Sequence, residues 1–132
     1  MLARNWRFGI QNDIGVALGA AGAVIKARRW KGSSDGTVAF EASEAVIYSN
    51  AASIGSGSYQ PEDNVDNSAD EYEGGAFELT ITIGTGTPTG DITVYYEVST
   101  DAGGTWPDAN EGSPVCVLNI TATGTFVKTF QL

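Results

Sequence analysis

The most regular hydrophobic pattern lies in the second half of the chain. Phe77, Leu79, Ile81 and Ile83 alternate with Glu78, Thr80 and Thr82, and Ile92, Val94, Tyr96 and Val98 alternate with Thr93, Tyr95 and Glu97. Val115, Val117 and Asn119 then alternate with Cys116, Leu118 and Ile120, and a last run carries Phe126, Lys128 and Phe130 on alternate positions. A period of two is what a strand with one buried face requires, because successive side chains point to opposite sides of the sheet. Glycine-, threonine- and proline-rich stretches at 84–90 and 101–113, and the pair Thr123-Gly124, separate the runs. Four strands so spaced predict an antiparallel meander.

The first half is less uniform. Trp6, Phe8, Ile10, Ile14, Val16 and Leu18 fall mostly two apart, which predicts an extended N-terminal arm over residues 1–20. Residues 19–22 (GAAG) read as a turn. From Ala23 to Trp30 the alternation resumes, with Ile25, Ala27 and Arg29 on one face and Val24, Lys26 and Arg28 on the other. A clearer turn follows at 32–36 (GSSDG), then short strands at 37–42 and 45–48. Residues 49–75 are rich in small polar residues and then in acids. They predict a long surface loop, acidic near 60–74, with room for a short strand around 54–59; loops of that length tend to be functional. The expected architecture is all-β: an antiparallel β-sandwich or jelly roll over residues 21–132, with the arm in front of it.

Charge sharpens the division. The chain has 132 residues and a net charge of −9. Residues 1–31 hold six bases against Asp13, a net of +5, and residues 32–132 hold fifteen acids against Lys128, a net of −14. Free nucleic acid is not expected as the main ligand, because the acidic body repels phosphate. Pairing of the basic segment with the acidic body of a neighbouring copy needs no further partner and favours head-to-tail assembly. Chain ends are ordinarily disordered unless something holds them, so an arm seated on a neighbour is expected to order Met1.

Several activities lack the residues they need. There is no histidine, which removes histidine-based triads, general bases and metal ligands. The single cysteine, Cys116, sits in an apolar run with no activating neighbour and reads as a small buried hydrophobe. No phosphate-binding or dinucleotide glycine fingerprint is present, so neither a cofactor nor an enzymatic activity is expected. The apolar stretch at 14–25 is too short to span a bilayer. Its likeness to a signal-peptide core is weakened by Asp13 at its border and by its alanine and glycine content.

Three motifs carry candidate chemistry. Ser99-Thr100-Asp101-Ala102-Gly103-Gly104-Thr105-Trp106 fits the S-x-D-x-G-x-T-W pattern of the Asp-box. In it, Ser99, Asp101, Gly103, Thr105 and Trp106 predict a structural hairpin tip: the carboxylate accepts turn amides and glycine supplies positive φ. The acids Glu62, Asp63, Asp66, Asp70, Glu71 and Glu73 lack the spacing of a calcium loop, and no metal is expected there. Tyr48, Tyr59, Tyr72, Tyr95, Trp30 and Trp106 are ordinary core and interface residues, or else a sugar-binding platform.

The stretches GDITVYYEVSTDAGGTW at 90–106, followed by Pro107-Asp108, and AVIYSNAASIGSGS at 45–58, with the opening Asn5-Trp6-Arg7-Phe8-Gly9, resemble small structural proteins of tailed bacteriophages. The resemblance implies a non-enzymatic virion role: capsid decoration, tail or baseplate component, or fibre adaptor. It implies several copies in contact with one another and with other virion proteins, assembled in the host cytoplasm. Trp6, Arg7, Phe8 and Ile10 of the arm are the expected assembly contacts. The alternative is a carbohydrate-binding module that contacts a host glycan.

Overall fold

The computed structural model describes residues 2–108 and 111–132. Ten strands follow one another: β1 (Asn5–Asn12), β2 (Ala23–Gly32), β3 (Val38–Phe40), β4 (Ala45–Ser49), β5 (Ser58–Pro61), β6 (Val65–Asp66), β7 (Gly74–Ile83), β8 (Gly90–Val98), β9 (Ser113–Ile120) and β10 (Gly124–Gln131). They form two five-stranded antiparallel sheets. The first runs β5-β1-β8-β9, with β6 also on β1; the second runs β10-β7-β2-β3, with β4 also on β2. The sheets pack face to face as a β-sandwich.

The meander is corrected. β8 and β9 do form a hairpin, but β7 pairs with β2 and β10 in the opposite sheet. Alternation reports which side of a strand is buried, not which strand lies next to it, so the inward faces were legible and the neighbours were not. Of the five connections that pass from one sheet to the other, four, at 13–22, 50–57, 84–89 and 121–123, form arches, and the fifth is 67–73. The register places all four at one end of the sandwich, since Asn12 lies opposite both Ser58 and Ile92, Gly90 opposite Ile120, Val24 opposite Ser49, and Gly124 opposite Ile83.

The extended arm over residues 1–20 is also corrected. β1 lies inside the first sheet, between β8 on one side and β5 and β6 on the other. Trp6, Phe8 and Ile10 are buried in this chain's own core. Trp6, Phe8 and Tyr96 from the first sheet meet Phe77 and Phe130 from the second, with Phe8–Phe77 at 5.2 Å and 87° and Trp6–Phe77 at 6.1 Å and 87°. Edge-to-face contacts of this kind add to the large apolar area that aromatic rings bury. Residues 13–20 are not an arm either: Ile14 and Leu18 are buried, and Leu18 bridges Ile54. Met1, which the arm reading expected to be ordered, lies outside the described residues.

The expected 49–75 loop is partly structured. It contributes β5 and β6 to the edge of β1, and its exposed acids lie between them, at Asp66 in β6, and after them. Buried asparagines close the irregular segments. Asn12 accepts from the Ile14 amide and donates to the Val16 and Ile54 carbonyls. Asn50 accepts from the Ala23 amide at 2.9 Å and donates to the Gly19 and Ala52 carbonyls at 2.7 and 2.8 Å. Asn67 likewise joins Tyr72 and Leu2. Each side chain supplies partners to backbone groups that no strand satisfies. Replacing Asn50 by Ala is expected to cost roughly 2–4 kcal/mol in urea unfolding, because several buried groups lose their partners together. The exposed Asn119→Ala should stay within about 0.5 kcal/mol of the parent; equal costs for the two would remove the arch-closing role.

Candidate functional site

The outer face of the first sheet carries a polar and aromatic cluster. Cross-strand register puts Arg7 opposite Glu97 and Gly9 opposite Tyr95 on the side away from the core. The Glu97 side chain is fully buried all the same. Two neighbours cover it. Arg7 Nε donates to Glu97 Oε2 at 2.6 Å, the Tyr59 hydroxyl donates to Glu97 Oε1, and the Tyr59 ring lies over Gly9, where a Cβ would fall inside the ring atoms. A side chain at Gly112 would likewise meet Glu97 Cγ, at 2.8 Å. Burial, then the hydrogen bond to Glu97, pushes the Tyr59 hydroxyl far above the ordinary tyrosine range, so it remains a donor.

The Asp-box turn reaches the same cluster. Asp101 accepts from the Ser99 hydroxyl at 3.0 Å and from the Thr105 amide and hydroxyl. Ser99 Oγ accepts from the Gly103 amide at 2.8 Å, and Gly103 sits at φ +92°. Trp106 Nε1 donates to the Gly103 carbonyl at 3.1 Å, which turns the indole back so that the Arg7 guanidinium stacks on it at 4.3 Å. Ala109 and Asn110, within the expected connection at 101–113, lie outside the described residues. Hydrogen bonds from Thr105, its side chain first, hold the Asp101 carboxyl below its ordinary value of 3.8. A depressed folded-state pKa adds stability that is fully present above the unfolded value and is lost as pH falls through the folded one. Asp101→Asn should therefore show a shallower loss of Tm on acidification below about pH 4 than the parent. Asp35 in the β2–β3 turn, held at about 2 by Ser33 and Thr37, retains its own share of the acid sensitivity. Identical acid slopes for parent and variant would contradict this role of Asp101.

Tyr59, Tyr95 and Trp106 are each half-buried around this cluster, with Tyr59 and Tyr95 6.1 Å apart at 76°. Tyr48 is buried in the core and Tyr72 lies at the far end of β2, stacked by Arg29 and Lys31. The sequence thus named Tyr59, Tyr95 and Trp106, but missed Glu97 and the covering role of Arg7. A glutamate at an outward strand position reads as solvated; the signal was Gly9, a small residue facing Tyr95 on the adjacent strand.

Part of the charge split is met within the chain. Arg7 pairs with Glu97, and Arg29 pairs with Glu41 at 2.6 Å. Lys31 Nζ donates to the Asp70 carbonyl, and Lys26 faces Glu78 across strands. The strands that carry the +5 segment thus lie against part of the acidic body of the same copy.

Exposed apolar residues concentrate elsewhere. Val38, Phe40 and Val46, at 53%, 57% and 60% exposure, line the β3/β4 rim of the second sheet. Phe40 lies opposite Trp30, and Arg28 approaches the Phe40 ring at 5.8 Å. Cys116 is buried, and burial raises its thiol pKa. Among the described residues, no three acids or cysteines are grouped so as to hold a metal ion, and no helix is long and apolar enough to cross a membrane. Comparison with protein-family models, with curated proteins and with solved structures finds no match.

Proposed function

We propose that this chain is a non-catalytic virion structural protein of a tailed bacteriophage, built into the particle in several copies. The observation that carries the reading is the β3/β4 rim. Three large apolar side chains stand more than half exposed along it, Phe40 beside Trp30 and Arg28, Val38 level with Gly32 and Val46 level with Lys26, and exposed apolar and aromatic side chains of this kind are enriched at protein interfaces. The buried polar chemistry supports it as well. The Glu97 carboxylate, the Tyr59 hydroxyl and the Arg7 guanidinium are occupied with one another, so they hold strands together rather than wait for a substrate. The test is to express Phe40→Asp/Val46→Asp alongside the parent chain in the phage-producing host and to detect both in purified, nuclease-treated particles. The parent should co-purify with the particles and the folded variant should stay in the soluble fraction. Absence of the parent from the particles would end the virion reading.

A second reading, a carbohydrate-binding module, is favoured by one observation: Tyr59, Tyr95 and Trp106 are half-exposed on one face of one sheet. It predicts saturable binding of a host-surface polysaccharide that Tyr95→Ala abolishes. Equal retention of parent and variant on immobilised glycan would dismiss it.

A further inference from the structure

The two sides of the sandwich are finished differently. On one side the sheets end in short, interrupted strands. β3 and β4 share the edge of β2, β5 and β6 share the edge of β1, and Pro61 closes β5. On the other side they end in β9 and β10, each eight residues long, and among the described residues no strand pairs with the outer edge of either.

The two open edges are not equivalent. Lys128 Nζ donates to the Val117 carbonyl at 2.6 Å, so the only charged side chain of β10 reaches across and caps β9. Among the described residues, β10 has no such cap. Gly75 and Leu132 exchange both backbone hydrogen bonds, at 3.0 and 3.2 Å. Hydrogen-bonded and non-hydrogen-bonded pairs alternate along an antiparallel ladder. Phe130, Lys128, Phe126 and Gly124 therefore also direct their N–H and C=O groups at β7. Thr125, Val127, Thr129 and Gln131 direct theirs at the open side. Their side chains lie on the outer face, where Val127 is 57% exposed.

Charge indicates which partner fits. All sixteen acids lie at or before Glu111; residues 112–132 contain none, and one base. Two copies of a chain with a net charge of −9 repel each other least along strands that carry no acidic side chain, as β9 and β10 do; the acid nearest the β10 edge is Glu78, opposite Thr129 on β7. Nothing in the sequence of β10 prevents self-pairing except Lys128, whose ammonium is held on β9.

We infer that the open edge of β10 is a dimerisation strand, which pairs antiparallel with β10 of a second copy and joins the two second sheets into one continuous sheet. This deepens the virion reading by naming a partner, and it rests on that reading for its biological setting. The contact is isologous, so it closes as a two-fold dimer. A two-fold axis at Lys128 would set two ammonium groups face to face. An axis at Val127 avoids this, places Val127 against Val127 and Thr125 against Thr129, and leaves Lys128 opposite Phe126 of the partner strand. Edge strands that are long, flat and uncapped template such pairing.

Val127→Pro removes an amide that points away from β7, so the parent fold is retained; proline is tolerated on an edge whose N–H faces solvent. Val127→Lys leaves the backbone intact and opposes two like charges at the axis. The measurement is light-scattering mass across a concentration series, with amide hydrogen exchange of the parent chain. The parent should reach the mass of two chains, and the Thr125, Val127, Thr129 and Gln131 amides should gain protection as concentration rises. Both variants should stay monomeric by light scattering with unchanged far-UV spectra, while Val46→Lys on the opposite rim still dimerises. A parent that is monomeric throughout, with those amides exchanging freely, overturns the inference. So does a dimer that survives both variants, which would place the contact elsewhere. Neither outcome touches the virion reading, which stands or falls on co-purification with particles.

Discussion

Replacing Arg7 by Met should cost about 3–5 kcal/mol in denaturant unfolding, among the largest effects of any single change outside the apolar core. The reason is Glu97. Its side chain is fully buried, and the Arg7 guanidinium at 2.6 Å is its only ionic partner among the described residues. Removing the arginine leaves a carboxylate shut away from water with a tyrosine hydroxyl as its remaining side-chain donor. The double variant Arg7→Met/Glu97→Met should recover the greater part of the loss, since a buried pair replaced by well-packed apolar groups is often neutral or better. The same cluster ties β1, β5, β8 and the 99–106 turn together. Arg7→Met should therefore also free the Trp106 ring, visible as a red-shifted and more quenchable component of tryptophan fluorescence. A loss below about 1 kcal/mol, the scale of a surface pair, would mean that Glu97 is solvated in solution.

Trp6→Ala is expected to cost about 3–5 kcal/mol or to prevent folding of the isolated chain. Trp6 is fully buried and contacts Phe8, Phe77 and Tyr96. The experiment discriminates between two uses of the same sequence. An arm that packs on a neighbour would leave the isolated sandwich nearly as stable after truncation of Trp6. A central strand would not, and deleting residues 1–12 would then strip the first sheet of the strand to which β5, β6 and β8 all bond. Trp6→Phe provides the graded control, with a smaller loss because most of the buried ring area is kept.

The contrast between these two uses shows what the sequence could and could not reveal. The alternation of Trp6, Phe8 and Ile10 correctly marked an extended segment with one apolar side. What that side faces depends on contacts with residues some ninety positions away, and local pattern carries no record of them. β5 was legible only as room for a short strand around 54–59, and β6 not at all, for a different reason. Ser58-Tyr59-Gln60-Pro61 and Val65-Asp66 are too short and too polar to show a period, because an edge strand needs to bury only a few side chains. The Asp-box was legible because it is a local structure whose hydrogen bonds close within eight residues. Its contribution to the candidate site, Trp106 over Arg7, was not, since it joins residues 99 positions apart. The charge split was plain in the sequence, yet its use within a single copy emerged only when β2 lay beside β7 and the 67–73 segment folded across its end.

The two ends of the described chain have a practical consequence. The Leu2 amide bonds the Glu73 carbonyl, and Leu132 bonds Gly75, so both ends are fastened to the same three-residue stretch. A short glycine-serine tether could therefore join residue 132 to residue 2 without crossing the sandwich. The chain could then be reopened in the exposed turn at 121–123, giving a circular permutant in which β10 comes first and keeps its partner β7. Such a permutant should fold, because every strand pairing and every buried asparagine contact survives the change of order. A reporter domain attached at residue 2 or residue 132 would, by the same geometry, project from one point at the end opposite the arches.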